Sequence, residues 1–279
     1  MRLFKALVPL KNHLALQKHT TLGLVPTMGA LHNGHLALVE RAVNQNDLVV
    51  VTIFVNPTQF DDASDLNAYP KTLDQDLEKL SLFGEKVVVY APEVEELYPE
   101  TTKSEVYDFG ELEKTMEGGS RKGHFQGVAT IVEKLLRTFM PTKAYFGEKD
   151  YQQLAIIHAL VKQKELPIQI VNCPIIREAD GLAMSSRNTR LTPKQRAIAP
   201  QVYQALLQAK EKKGRFSIEE IIDEARHFFH QSPDFELDYF CIADATSLQP
   251  LYGKKIEQEA RAFIAVKLGE IRLIDNVKF

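Results

Sequence analysis

Hydrophobic and polar positions along the first part of the chain alternate between two periods. Residues 22–25, 48–55, 86–90, 144–146 and 168–173 are short apolar runs, and each predicts a strand. The run at 48–55 is continuous and β-branched, which suits a strand buried on both faces. Between these runs the spacing becomes helical. Residues 36–43 read as the start of a helix, 72–82 carry Leu73, Leu77 and Leu80 on one face, and 127–139 and 151–162 complete the set. Strands separated by connections of helix length predict an α/β fold, a Rossmann-like doubly wound parallel sheet covered on both faces.

The pattern changes near residue 175. Residues 193–212 and 217–230 read as helices, the first with Pro193 in its opening turn. Residues 235–242, 260–268 and 270–274 alternate like strands. The expected organisation is therefore a domain over 1–175 and a smaller α+β domain over 176–279.

Composition narrows the partners. The 279 residues carry a net charge of −3, so no bulk field draws the chain to nucleic acid or anionic membrane. Any bound anion must be held by a local site. The longest apolar run is far shorter than a membrane span, and the apolar stretch 6–10, stopped by Lys11, is too short for a secretion signal. Two cysteines, Cys173 and Cys241, form neither a disulfide framework nor a metal knuckle, and both are expected as buried small hydrophobes. These features predict a soluble, cytoplasmic protein.

Five segments carry candidate chemistry. The first, Val25-Pro26-Thr27-Met28-Gly29-Ala30-Leu31-His32-Asn33-Gly34-His35, lies between a predicted strand and a helix expected to begin near His35. That is the sheet edge where doubly wound folds bind ligands, and a helix start favours anions. Gly29 and Gly34 let a nucleotide approach the backbone, and His32 and His35 fall on the same side of a helical turn. His35-Leu36 follows Gly34 where a P-loop needs Lys-Ser/Thr, and no third Cys or His lies near enough in sequence to suggest a metal. The second segment, 54–60, places the amides of Asn56 and Gln59 at the same edge, where they suit hydroxyl or carboxylate groups; a simple Asn-Pro turn is the alternative. The third, 121–127, is either an anion-steering loop or the plain start of a helix. The fourth, 146–153, offers Lys149 as a point charge, Asp150 as helix cap or Mg²⁺ ligand, and Gln153 toward the edge; a capped helix with surface charges is the alternative. The fifth, 181–188, places Ser185, Ser186 and Arg187 in sequence as a phosphate clamp on a loop expected to be mobile.

In this order the strings PTMGALHNGH, FVNPTQF, YPKTLDQDL, GHFQGVATIV, FGEKDYQQL, DGLAMSSRN and RLIDN closely resemble the pantoate–β-alanine ligase family. The match runs from about residue 20 to 276. That family belongs to the nucleotidyl transferases and class I synthetases. The resemblance implies ATP-dependent condensation of (R)-pantoate with β-alanine through a pantoyl adenylate, with Mg²⁺, in a homodimer. It places ATP at Met28, Gly29, Ala30, Leu31, His32, Asn33, Gly34 and His35, at Gly147, Glu148, Lys149 and Asp150, and at Ile176, Met184, Ser185, Ser186 and Arg187. It places pantoate and β-alanine at Gln59, pantoate at Gln153, and Asn56 in a supporting position. His35, His32, Lys149, Ser185, Ser186 and Arg187 become the catalytic set, Asp150 the metal ligand, and 176–279 a lid. At Lys122 and Gln126 the chain departs from the family's frequent Pro and Arg, so no phosphate role carries over to Gln126.

Other readings differ in what they require. A nucleotidyl transferase joining a nucleotide to a phosphorylated small molecule shares the H-x-G-H logic but has no need of the three amides. A nucleotide-binding regulator without turnover would have lost His32, His35, Lys149 or the Ser-Ser-Arg triplet. A tRNA-charging enzyme needs a basic surface that a net charge of −3 does not favour.

Overall fold

The structure, a computed structural model, describes all 279 residues. They divide into two compact units. The first comprises Met1–Phe109, Arg121–Glu148 and Gln153–Pro174, and the second Gly110–Ser120, Lys149–Gln152 and Ile175–Phe279. Two short stretches inside 1–175 thus group with the second unit. The local reason is hydrogen bonding. The Gln152 amide donates to the carbonyls of Leu112 and Thr115 and accepts from the Glu117 N–H, while the Glu117 carboxylate is held by Arg272 and Tyr239.

The first unit is built on a six-stranded parallel sheet: β1 (Arg2–Phe4), β2 (Leu22–Thr27), β3 (Leu48–Ile53), β4 (Val87–Tyr90), β5 (Lys143–Gly147) and β6 (Gln169–Cys173). The strand order is β1-β4-β3-β2-β5-β6. The chain steps outward from β2 through β3 to β4, then returns to the other side of β2 as β5. The switch point therefore falls between β2 and β5, and the carboxyl end of β2 opens onto it. The central strands are apolar without alternation because both faces are covered. Val25, Val49, Val51, Val87 and Val89 face Val39 and Ala42 of the helix Asn33–Gln45 and Leu80 of the helix Leu73–Ser81. On the opposite face, Tyr90 meets Phe139 of the helix His124–Phe139 edge-on, with ring centroids 5.7 Å apart.

The second unit is α+β. Strands β7 (Phe235–Asp244), β8 (Ala260–Leu268) and β9 (Ile271–Lys278) form an antiparallel sheet. Their apolar face packs with Val202 and Leu206 of the helix Gln201–Glu211 and with Ile221 and Phe229 of the helix Ile218–His230. The expected helix 193–212 is two helices, Pro193–Ile198 and Gln201–Glu211. Pro200 has no N–H, and its ring collides with a continuing helical turn, so the chain breaks there.

Cys173 is buried and Cys241 half-buried, and both are free thiols. Burial raises both thiol pKa values, Cys241 to about 11. No helix is long and apolar enough to cross a membrane.

Candidate active site

The loop after β2 is held by side chains at three points. The Thr27 hydroxyl donates to the Thr52 carbonyl (2.7 Å) and accepts from the Gly29 N–H (3.2 Å). The chain then turns through two left-handed residues, Gly29 (φ +80°) and Ala30 (φ +49°). A Cβ on Gly29 would sit 3.0 Å from Ile53 and 3.1 Å from the Asp76 carboxylate, so glycine is required by both conformation and space. Ala30 has no such exemption, and its conformation costs roughly 1 kcal/mol. The buried carboxylate of Asp76 offsets that cost by accepting from the N–H groups of Ala30 (2.9 Å) and Leu31 (2.7 Å). Three residues on, Lys79 Nζ donates to the Leu31 carbonyl at 2.6 Å. One face of the helix Leu73–Ser81 thus holds three consecutive peptide units of the loop.

The helix that follows begins at Asn33, two residues before the expected start, because His32 is its cap. His32 Nδ1 accepts from the Gly34 N–H (3.1 Å), and His35 Nδ1 accepts from the His32 N–H (3.4 Å). Imidazoles here occupy the two places of a capping box that Ser and Glu usually hold. A backbone N–H can only donate, so each Nδ1 carries a lone pair. In the neutral rings the proton is therefore on Nε2, and both side chains act as Nε2–H donors. The rings lie 4.0 Å apart, centroid to centroid, at a helix N-terminus.

After β3, Asn56 is 1% exposed and fully engaged. Its NH₂ donates to the Gly127 carbonyl and to Gln59 Oε1, both at 3.1 Å. Its Oδ1 accepts from the hydroxyls of Tyr98 (2.7 Å) and Thr58 (3.1 Å). The Gly127 carbonyl can only accept, which settles the orientation of the Asn56 amide. That in turn settles Gln59, whose oxygen must face Asn56 and whose NH₂ turns the other way, to 3.1 Å from the Met28 sulfur. The two loops meet at this contact. Gly127 makes it possible, since a Cβ there would lie 2.2 Å from the Thr58 carbonyl oxygen and 2.6 Å from Gln59 Cα. Gly127→Ala is therefore expected to displace Gln59 and to cost about 1–3 kcal/mol, readable from thermal melts. Wild-type stability would count against this packing.

The basic segment 121–127 braces the same loop. His124 Nδ1–H donates to the Gln59 carbonyl at 2.7 Å, and Arg121 donates to His124 Nε2 at 3.1 Å. Gln126 clamps the backbone of Tyr107, accepting from its N–H (2.7 Å) and donating to its carbonyl (3.0 Å). Lys122 is exposed.

In the second unit, Lys149 and Asp150 form a loose pair, Nζ to Oδ1 3.7 Å, on a single 3₁₀ turn. The segment expected as a mobile loop is a hairpin followed by a capped turn. Met184 N–H donates to the Ile176 carbonyl (3.0 Å) and Glu178 N–H to that of Leu182 (2.8 Å), so Ile176 and Met184 face each other across it. Gly181 takes the turn at φ +92°, and Ser185 caps the 3₁₀ helix Ser186–Arg190 by accepting from the Arg187 N–H. Ser186 is buried. The hairpin is held by Arg177, whose guanidinium pairs with Asp275; burial pushes that carboxyl's pKa up, and Arg177 pulls against it.

The loop after β2 thus sets two paired imidazoles at the switch point of a doubly wound sheet, the edge where such folds bind ligands. Residues 2–278 match the family model for pantoate-beta-alanine ligase. The chain is 47% identical to the pantothenate synthetase of Flavobacterium psychrophilum over 279 residues, covering 99% of each chain. It is 45% identical to that of Porphyromonas gingivalis over 281 residues, covering 100% of this chain and 99% of the relative. Among solved structures, it resembles the Thermus thermophilus pantothenate synthetase with a TM-score of 0.92 at 42% identity, over 100% of this chain and 99% of that one.

The chain belongs to the pantoate–β-alanine ligase family. A Francisella tularensis ligase similar to it (TM-score 0.82, 35% identity, 100% of this chain and 97% of that one) was solved in complex with beta-gamma ATP and β-alanine.

Against the ligase family's pattern, the first unit brings together Met28–His35, Asn56 and Gln59, with Gly147, Glu148 and the half-buried Gln153 in the same unit. Gly147 has an ordinary φ, and nothing lies within 4 Å of a Cβ added there. The protein alone gives no reason for glycine at that position, whereas a ligand against the backbone would. Lys149, Asp150, Ile176, Met184, Ser185, Ser186 and Arg187 all belong to the second unit. Asn56 is fully buried in hydrogen bonds of the protein itself. Its four hydrogen bonds are all made within the protein, so it orients Gln59 and has no capacity left for substrate. Sequence reasoning missed Asp76, Lys79, Tyr98 and His124 as supports. Only the first pair left a trace, a carboxylate and an amine three apart on the helix that follows YPKT.

Proposed function

We propose that this chain, an ATP-dependent pantoate–β-alanine ligase, works in two steps. The pantoate carboxylate attacks the α-phosphorus of ATP, the bond to the bridging oxygen breaks, and pyrophosphate leaves a pantoyl adenylate. The β-alanine amine then attacks the acyl carbon, loses a proton and expels AMP, giving pantothenate. The observation that carries this reading is the pair of Nε2–H donors on His32 and His35 at a helix N-terminus beside the switch point. Both reactants of the first step are anions, so catalysis is chiefly placement and charge stabilisation.

His35 and His32 donate to the α-phosphate oxygens, where charge grows in the transition state. The Gln59 NH₂, turned outward by Asn56, binds the pantoate carboxylate or hydroxyl and later contacts β-alanine, and Gln153 is the second amide on pantoate. Lys149 neutralises the triphosphate, while Ser185, Ser186 and Arg187 hold the leaving pyrophosphate, the second unit acting as a lid. No covalent enzyme nucleophile is required, in keeping with two cysteines whose thiols are held protonated.

Nowhere do three His, Cys, Asp or Glu side chains gather as a metal cage. Asp150, 45% exposed and loosely paired, fits the lesser demand of Mg²⁺ that arrives on phosphate oxygens and takes one carboxylate. Mg²⁺ bound there would supply charge neutralisation. The family resemblance supports a cytoplasmic homodimer, a state that sedimentation analysis would read directly.

The deciding experiment is isotope exchange between pyrophosphate and ATP. Exchange is expected only when pantoate is present. Exchange driven by an amino acid, or independent of any acid, would overturn the adenylation step.

A further inference from the structure

The string Arg272-Leu273-Ile274-Asp275-Asn276 has no part in the proposed reaction, yet Asp275 and Asn276 are 4% and 2% exposed in the second half of β9. Asp275 accepts from both terminal nitrogens of Arg177, Nη1 at 2.6 Å and Nη2 at 2.9 Å. The same two nitrogens of Arg177 also donate to the carbonyls of Gly181 (3.1 Å) and Asn276 (3.2 Å), and its guanidinium carbon lies 3.7 Å from the centroid of the Tyr203 ring. Gly181 is the turn of the hairpin that delivers Ser185, Ser186 and Arg187. The next residue reaches the other phosphate segment. Asn276 Oδ1 accepts from Arg261, a pure donor, so its NH₂ is turned to the Lys149 carbonyl at 3.0 Å. Asn276 N–H also donates to Asp275 Oδ1 (2.7 Å), joining the two contacts. Adjacent residues of one strand therefore hold the backbone of Lys149 and the hairpin of the Ser-Ser-Arg triplet.

We infer that Asp275 and Asn276 are positioning residues for adenylate formation, setting the spacing between Lys149 and the Ser185–Arg187 turn. The inference rests on the assignment of those two segments to the triphosphate. A buried ion pair is a poor means of stabilising a fold, since apolar replacements often do as well. It is a good means of fixing geometry, because a bidentate pair tolerates little displacement. Phosphoryl chemistry is sensitive to that geometry, as a misplacement of about 1 Å costs roughly 10²-fold.

Asn276→Asp tests this with little change of shape. It keeps the Arg261 contact and sets an acceptor against the Lys149 carbonyl. Pantoate-dependent pyrophosphate exchange is expected to fall about 10–100-fold. The rate at which β-alanine consumes supplied pantoyl adenylate should stay within about threefold of wild type. Equal losses in both half-reactions would mean a merely structural role and would overturn the inference, as would unchanged exchange. Asn276→Ala, which removes the hydrogen bond without repulsion, should show the same split to a smaller degree and serves if the first variant does not fold. Lys149→Ala and Arg187→Ala are measured alongside. If neither slows exchange, the phosphate assignment itself fails; if both do and neither Asn276 variant does, only the inference fails. Adding Asn276→Asp to Lys149→Ala should bring little further loss, and fully multiplicative losses would overturn a role exerted through Lys149.

Discussion

His35→Asn should lower kcat by about 10²–10³-fold while leaving the fold intact, the loss typical of one transition-state donor. The choice of asparagine follows from the geometry. His35 has two separable tasks: Nδ1 closes the capping box on the His32 N–H, and in the proposed reaction Nε2–H is the donor to the α-phosphate. An asparagine side chain places an acceptor near the Nδ1 position and nothing at Nε2. It therefore preserves the cap and removes the donor. His32→Asn follows the same logic, since asparagine is among the best N-cap residues. Both variants should melt near the wild-type temperature, and both should lose pyrophosphate exchange. A folded His35→Asn enzyme with near-normal kcat would remove the imidazole from the chemistry and leave it only a cap. His35→Gln probes the converse, restoring an N–H near the Nε2 position at the expense of the cap. It should recover part of the rate with a lower melting temperature.

Asp76→Ala is expected to affect stability and rate together. The carboxylate is fully buried and is the acceptor for two consecutive N–H groups, Ala30 and Leu31. Deleting it leaves two donors without their partner, at about 1–3 kcal/mol each. The left-handed Ala30 then loses the contact that offsets its strain, and the path of the chain into His32 relaxes. A shift of about 1 Å in the imidazoles would cost roughly 10²-fold in kcat. Asp76→Asn separates the two effects. One oxygen still accepts from one N–H, while the amide's NH₂ faces the other donor. Stability should fall less than in the alanine variant, and the rate should still drop because residue 76 then holds one of the two N–H groups instead of both. Stopped-flow measurement of adenylate formation together with thermal melts would show this. A rate loss confined to the β-alanine step would show that Asp76 does not act through the histidine loop.

The parts of the fold that were legible in the sequence are those whose pattern has a local cause. Strand β3 showed itself because burial on both faces removes alternation. The histidine loop showed itself because a doubly wound sheet places such a loop at its carboxyl edge. Strand β1, three residues at the sheet edge, carries too short a pattern to detect, and only residues 6–10 of the helix region Leu7–Leu16 read as apolar in the sequence. The break at Pro200 was readable in principle but was masked by apolar periodicity running through both helices. The basic segment at 121–127 was ambiguous for a different reason. Whether a histidine and an arginine steer an anion or hold a loop depends on what they face, and here His124 and Arg121 face the Gln59 carbonyl and Asp61.

By itself the sequence determined the chemical inventory: the donors His32 and His35, the cations Lys149 and Arg187, the amides Gln59 and Gln153, and a parallel sheet with a smaller α+β unit. Those depend on side-chain type and short-range period, which a linear string carries in full. Tertiary structure alone decided the roles of the buried polar residues. Asn56 looks like a substrate amide in sequence and is consumed by four internal hydrogen bonds. Asp76, Asp275 and Asn276 look like surface polar residues and are buried supports for loops that lie 45, 98 and 127 positions away in sequence. Hydrogen-bond capacity is finite and long-range, so which partner uses it is settled only when distant segments of the chain meet.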